Sequence, residues 1–148
     1  MGSYYSSIEV SASGLTAERL AMDVIANNIA NANTTRTPEG GPFKRQLVLF
    51  AQKQDPPQNN ADPLNDDPAK SRSGVEVVQI VPDTGPDRLV YDPQHPDADG
   101  NGYVHYPNVD IVKEMVDMMS ASRAYEANVT AIQETRTMGN TLFGLLKA

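Results

Sequence analysis

Apolar residues recur at helical spacing at both ends of the chain and at strand spacing only between them. Near the N terminus, Ile8, Leu15, Met22 and Ile29 repeat every seven residues, with Ile25 and Ala32 in intervening places. A second row passes through Ala17, Leu20, Ala21 and Val24. The two rows predict a helix of about 25 residues, near 40 Å long, with two apolar sides. At the other end, alternating steps of four and three connect Ile111, Met115, Met118, Ser122, Tyr125, Val129, Ile132, Arg136, Gly139, Phe143 and Leu146, which is the spacing of a coiled-coil seam. A further row adds Ala124, Ala131, Met138, Leu142 and Leu145. Asn108 or Asp110 stands where a cap is wanted. The predicted helix reaches nearly 40 residues, about 55–60 Å, with Gly139 as a point of fraying or bending.

Proline separates these ends from the middle. All eleven prolines lie between Pro38 and Pro107. A proline inside a helix costs about 3 kcal/mol, so long helices are open to the ends and closed to the centre. The centre reads as short strands at Phe43–Gln52, Gly74–Val81 and Arg88–Tyr91, bounded by Gly, Pro and Asp. Between the first two, Gln54–Ser73 is rich in Pro, Asn and Asp and reads as a mobile loop. The expectation is an α+β chain in three parts: an N-terminal helix in residues 1–37, a β-rich middle in 38–107 and a C-terminal helix in 108–148. The terminal helices should form an antiparallel, coiled-coil-like pair, because the middle returns the chain between them. One such pair buries only part of four apolar rows. The rows left over predict contacts with other subunits, and a contact of this heterologous kind that does not close builds a helical tube.

Composition agrees with a core that a partner completes. The hydrophobic fraction is 39%, and tryptophan is absent, whereas compact domains usually run at about 45–50%. Of the net charge of −7, five negative charges belong to residues 38–107. An acidic surface disfavours nucleic acid and anionic membranes, which need clustered Lys and Arg. No run approaches the ~20 apolar residues of a membrane span, so direct membrane insertion is not expected. The first residues lack a basic stretch followed by an apolar one, which predicts that any export proceeds without a cleaved general signal. Cysteine is absent, so disulfide and thiol chemistry are excluded.

Candidate chemistry is thin. Asp97-x-Asp99-x-Asn101-Gly102 copies the start of a calcium-binding loop, and a calcium module is one alternative function. The twelfth place, however, is Asn108 where a bidentate Glu belongs, and Pro93 and Pro96 break the entering helix. The same residues make an ordinary Asp/Gly turn leading to Tyr103. His95 and His105 have neither Cys partners nor metal-ligand spacing. No Gly-x-Ser-x-Gly elbow or Gly-rich phosphate loop occurs. The reading is of a protein that is not an enzyme and holds no cofactor or metal.

The remaining oddity is Ala26-Asn27-Asn28-Ile29-Ala30-Asn31-Ala32-Asn33-Thr34. Asn is a poor helix former and suits caps and turns, so a fraying helix end is one reading. The other is buried amides bonding between helices and fixing their register, with Asn27 and Asn31 on one face. This string resembles the N-terminal signature of the flagellar axial proteins, the rod and hook family. Leu89-Val90-Tyr91-Asp92-Pro93, His95-Pro96-Asp97-Ala98-Asp99, Gly102-Tyr103-Val104, Pro107-Asn108-Val109-Asp110 and Arg123-Ala124-Tyr125-Glu126-Ala127-Asn128 are similar to its C-type proximal rod branch rather than the B-type. The likeness covers roughly residues 8–50 and 75–147. It implies a structural subunit of a rod that spans the periplasm and transmits torque. It also implies export through the flagellar export apparatus without cleavage, and partnership with itself and other rod subunits. The assembly interface expected on this reading comprises Ile8, Leu15, Met22, Ile25, Asn27, Asn28, Ile29, Asn31 and Asn33 from the first helix. From the second it takes Ile111, Met115, Met118, Arg123, Tyr125, Glu126, Asn128, Val129, Ile132, Met138, Leu142, Phe143 and Leu146.

Overall fold

The structure, a computed structural model, describes residues 2–53 and 74–146. The predicted loop at 54–73 lies outside the described residues. Two long helices bracket two small sheets, in the order α1 (Gly2–Ala30), β1 (Gln46–Gln52), β2 (Val75–Pro82), β3 (Arg88–Tyr91), β4 (Tyr103–Tyr106) and α2 (Ile111–Leu146). This is the α+β architecture expected from the proline pattern. The helices run to 29 and 36 residues because nothing within them breaks the ladder, and α2 continues past Gly139. α1 stops where the asparagines begin to serve the turn. The Asn31 and Ala32 amides bond back to the Asn27 and Ile29 carbonyls at 3.1 and 3.2 Å, and the Asn31 side chain donates to the Asn27 carbonyl at 2.9 Å. α2 starts at Asp110, whose Oδ1 accepts from the amides of Val112 and Lys113 at 3.0 and 3.4 Å. Asn108, the other candidate cap, instead accepts the Arg45 amide at 3.4 Å.

The β-rich middle is two separate antiparallel pairs, β1–β2 and β3–β4, rather than one sheet. β1 pairs with β2 from Gln46 opposite Pro82 to Gln52 opposite Val75. The register shifts between Leu49 and Phe50, which leaves Val78 as the extra residue of a bulge. β3 lies where the sequence places it. β4 went unread because Tyr103–Tyr106 is only four residues long and follows directly on the Asp/Gly turn.

The β1–β2 hairpin lies along α1, held at both ends. At one end Gln46 meets Asn27 and Asn28. At the other, the Val75 amide donates to Ser13 Oγ at 3.0 Å, and Gly74 is buried against the helix. A Cβ at Gly74 would fall 1.9 Å from Ser13 Oγ and 2.7 Å from its Cβ. Gly74→Ala is therefore expected to lift the hairpin from the helix and to lower stability by about 1–3 kcal/mol. Ser13→Ala in the same chain should return only part of that loss, since the Cβ clash remains. Thermal melting of both variants reads this out, and an unchanged Gly74→Ala melt would show that the hairpin does not seat there.

α1 and α2 pack against each other in opposite directions. A Cβ built at Gly14 meets the Asn128 side-chain amide at 2.9 Å, and Asn28 bonds Glu114 at 3.0 Å. These contacts lie the same number of residues apart on both helices. One antiparallel register therefore sets Ala17 opposite Tyr125, Ala21 opposite Ala121 and Val24 opposite Met118. Ala17, Ala21, Val24 and Ala121 are all buried. The rest of the buried apolar core is Ala32, Val104 and Val109, near the junction of helices and sheets. Four of these seven side chains are alanines, each burying one methyl worth about 0.8 kcal/mol, so the described core is modest.

Candidate assembly surface

The row of α2 that meets α1 is offset from the four-and-three row read in the sequence. Met118 and Tyr125 do face α1. The intervening positions are Glu114, Ala121 and Asn128, one residue before the predicted Met115, Ser122 and Val129. The physical reason is the partner. α1 offers Gly14, Ala17, Ala21 and Asn28, a face of small side chains that takes Ala121 and the bonded Glu114 as well as Met118 and Tyr125. A count of large apolar residues alone therefore selects a row that only partly meets α1. On α1 the buried row is Ala17, Ala21 and Val24. Ile8, Leu15, Met22 and Ile29 lie off this row by helical spacing, Ile25 borders it four residues from Ala21, and all five are half-buried. Leu20, in the same predicted row as Ala17, is exposed.

Of the four asparagines only Asn28 is buried, at 1% exposure. Its Nδ2 donates to the Gln46 carbonyl at 2.9 Å and to Glu114 Oε2 at 3.0 Å, while its Oδ1 accepts the Gln46 amide at 2.8 Å. One side-chain amide thus completes the main chain at the start of β1 and reaches across to α2. Glu114, 0% exposed, accepts the Arg45 Nε on its other oxygen at 2.6 Å. The Arg45 guanidinium also reaches Asp83 at 3.6 Å and Asp117 at 3.5 Å. Among the described residues no buried side-chain polar atom lacks a partner, as a buried charge requires. Asn27 donates to Gln46 Oε1 at 3.3 Å, Asn31 bonds Asn27, and Asn33 is exposed at the turn. Asn28 is thus the one buried amide of the string that bonds between the helices, while Asn27 and Asn31 bond each other and Asn31 also serves the helix end. Glu114 and Arg45 were missed. The signal that finds Glu114 is its four-and-three spacing with Met118, Ala121 and Tyr125, visible once alanine is weighed as a seam residue.

Opposite the seam, α2 carries an apolar stripe. Val112, Met115, Val116 and Met119 are 70%, 55%, 54% and 54% exposed, and their i, i+3, i+4, i+7 spacing sets them on one face. Ile111 borders the stripe and is also exposed. The stripe runs at its N-terminal end into an open groove of ≈ 530 Å³, lined by Ala32, Asn33, Arg88 and Pro107 through Val112. Farther along, Met138 and Leu142 are exposed beside Glu134. Tyr125, Asn128, Val129 and Ile132 are half-buried, and Arg123 and Glu126 are exposed. The side chains of Phe143 and Leu146 lie outside the described residues. No described helix is long and apolar enough to cross a membrane.

The calcium-like loop is occupied by protein donors. Asp99 Oδ1 accepts the amides of Tyr103 and Asn101 at 2.9 and 2.8 Å, and these bonds hold its carboxyl below the ordinary carboxylate range. Asp97 accepts the Thr35 hydroxyl at 2.8 Å. Among the described residues no three His, Cys, Asp or Glu side chains converge as a metal site would need.

Comparison with known proteins agrees with this arrangement of terminal helices. Residues 8–36 match the family model described as flagella basal body rod protein, and residues 101–145 match flagellar basal body rod FlgEFG protein C-terminal. The flagellar basal-body rod protein FlgC of Borreliella burgdorferi is 47% identical over 97% of each chain. The protein of that name from Bacillus subtilis is 43% identical over 90% of this chain and 92% of its own. That from Escherichia coli O157:H7 is 38% identical over 88% of each. With identity running through both helices and the sheets between them, the chain belongs to the flagellar basal-body rod protein family, in its FlgC branch.

Proposed function

We propose that the chain is a non-catalytic structural subunit of the flagellar rod that assembles through its helix pair. Residues 1–37 and 108–148 act as one coiled-coil-like assembly unit, and residues 38–107 as a β-rich module carried on it. Its neighbours are further copies of itself and other rod subunits. It reaches them through the flagellar export apparatus, and the finished rod crosses the periplasm and transmits torque. The observation that supports this most is the exposed stripe Val112, Met115, Val116 and Met119 on the face of α2 that α1 leaves uncovered.

Met115→Asp tests the proposal. Met115 is exposed, so the monomer's fold should survive the change. Burying that carboxylate without a partner at a subunit contact costs several kcal/mol. The variant should be exported and fold normally, yet be missing from isolated basal bodies, and the cells should not swim. Lys113→Ala, at an exposed charge nearby, should be nearly silent, since such charges are worth at most about 1 kcal/mol. Swimming Met115→Asp cells with the variant present in their rods would show that this stripe faces no neighbour.

A further inference from the structure

We propose that Asn28, Arg45 and Glu114 form a register lock. Their role is to select one axial alignment of α1 against α2, rather than to supply the stability of the pair. The α1 face of the seam is a weak selector. Gly14, Ala17 and Ala21 are close in size, so a slide of one heptad sets Met118 or Ile132 opposite Ala17 in place of Tyr125, one large side chain for another. The polar positions lose their partners outright in such a slide. Moved one heptad in one direction, Glu114 faces Ala21 and is buried without its amide partner. Moved in the other direction, Asn28 faces Ala121, and Glu114 passes beyond the end of α1. In the observed register both polar atoms of Asn28 and both oxygens of Glu114 are bonded. The lock also fixes the hairpin, because the same Asn28 amide bonds both main-chain groups of Gln46. Alignment of the helices and seating of the β1–β2 module are thus set by one cluster. Buried polar groups that select a register commonly do so at little or negative benefit to stability.

The proposal concerns the isolated chain, so its failure is distinguishable from failure of the rod reading. The chain has no cysteine of its own, which allows introduced pairs to report alignment. A21C/A121C reports the observed register. A21C/N128C and A17C/M118C report slides of one heptad in either direction. Each pair is placed in the full chain, alone and combined with R45M/E114L, and oxidised at high dilution so that only intramolecular bridges are scored. With the lock intact, only A21C/A121C should bridge. With R45M/E114L, the parent without cysteines should melt within a few degrees of the unaltered chain, while the slid pairs bridge in amounts comparable with A21C/A121C. An R45M/E114L chain that still bridges only in the observed register overturns the proposal, because the seam then selects alignment unaided. An R45M/E114L chain that fails to fold overturns it equally, because a device that chooses among alignments is dispensable for folding.

Discussion

Arg45→Met should lower the unfolding free energy of the isolated chain by about 3–5 kcal/mol, the cost of leaving a buried charge without its partner. Glu114 is fully buried, and Arg45 is the cation bonded to it. The same guanidinium lies between Asp83 and Asp117, so its loss also leaves three carboxylates facing one another. Glu114→Gln should cost much less, since the amide keeps its size and can still accept from Asn28. Against the roughly 5–15 kcal/mol that holds a typical domain, the Arg45→Met loss is large enough to leave a substantial unfolded population. Urea unfolding of both variants measures it. A loss below about 1 kcal/mol for Arg45→Met would mean that water reaches Glu114 and that the cluster is not a closed one.

Ala21→Leu should be the most damaging change to the seam. Ala21 and Ala121 face each other where the helices come together, both buried. A leucine there has nowhere to go unless the helices separate, and overpacking of this kind costs about 1–3 kcal/mol. For a chain of this length that is a fall of roughly 2–12 °C in melting temperature. Met22→Leu, on the adjacent half-buried position, conserves volume and should shift the melt little. Equal melts for Ala21→Leu and the unaltered chain would show the helices to be farther apart at this level than the register implies.

The sequence made the architecture legible through one residue type: proline confined to the centre left both ends free to be helices. It also marked β1, β2 and β3 through β-favouring runs between turn residues. The short β4 escaped because four residues carry too little alternation to read. The seam that meets α1 was harder to read for a chemical reason. Large apolar residues such as Met115 and Val129 stand out in the sequence, but beside Met118 and Tyr125 the space between α1 and α2 takes alanine and a satisfied carboxylate. The apolar residues passed over by that seam, Met115 and Val116 among them, remain exposed, where a lone chain gains nothing from them. Spacing alone places Glu114 in the seam once alanine is weighed, but its partners, Asn28 and Arg45, come from two distant segments, and no periodicity within one helix announces them.

The joining of Asn28, Arg45 and Glu114 has a consequence for the order of folding. Eighty-six residues, more than half of the chain, separate the first of these residues from the last. Closing so long a loop carries its entropy cost before any contact rewards it, and contacts of high sequence separation form late and slowly. A chain emerging end-first from a narrow passage, from either terminus, can wind each helix locally as it appears. It cannot close the pair until residues from both halves are free on the same side. The geometry therefore delays folding until most of the polypeptide has been delivered, and leaves the helix faces unpaired until then.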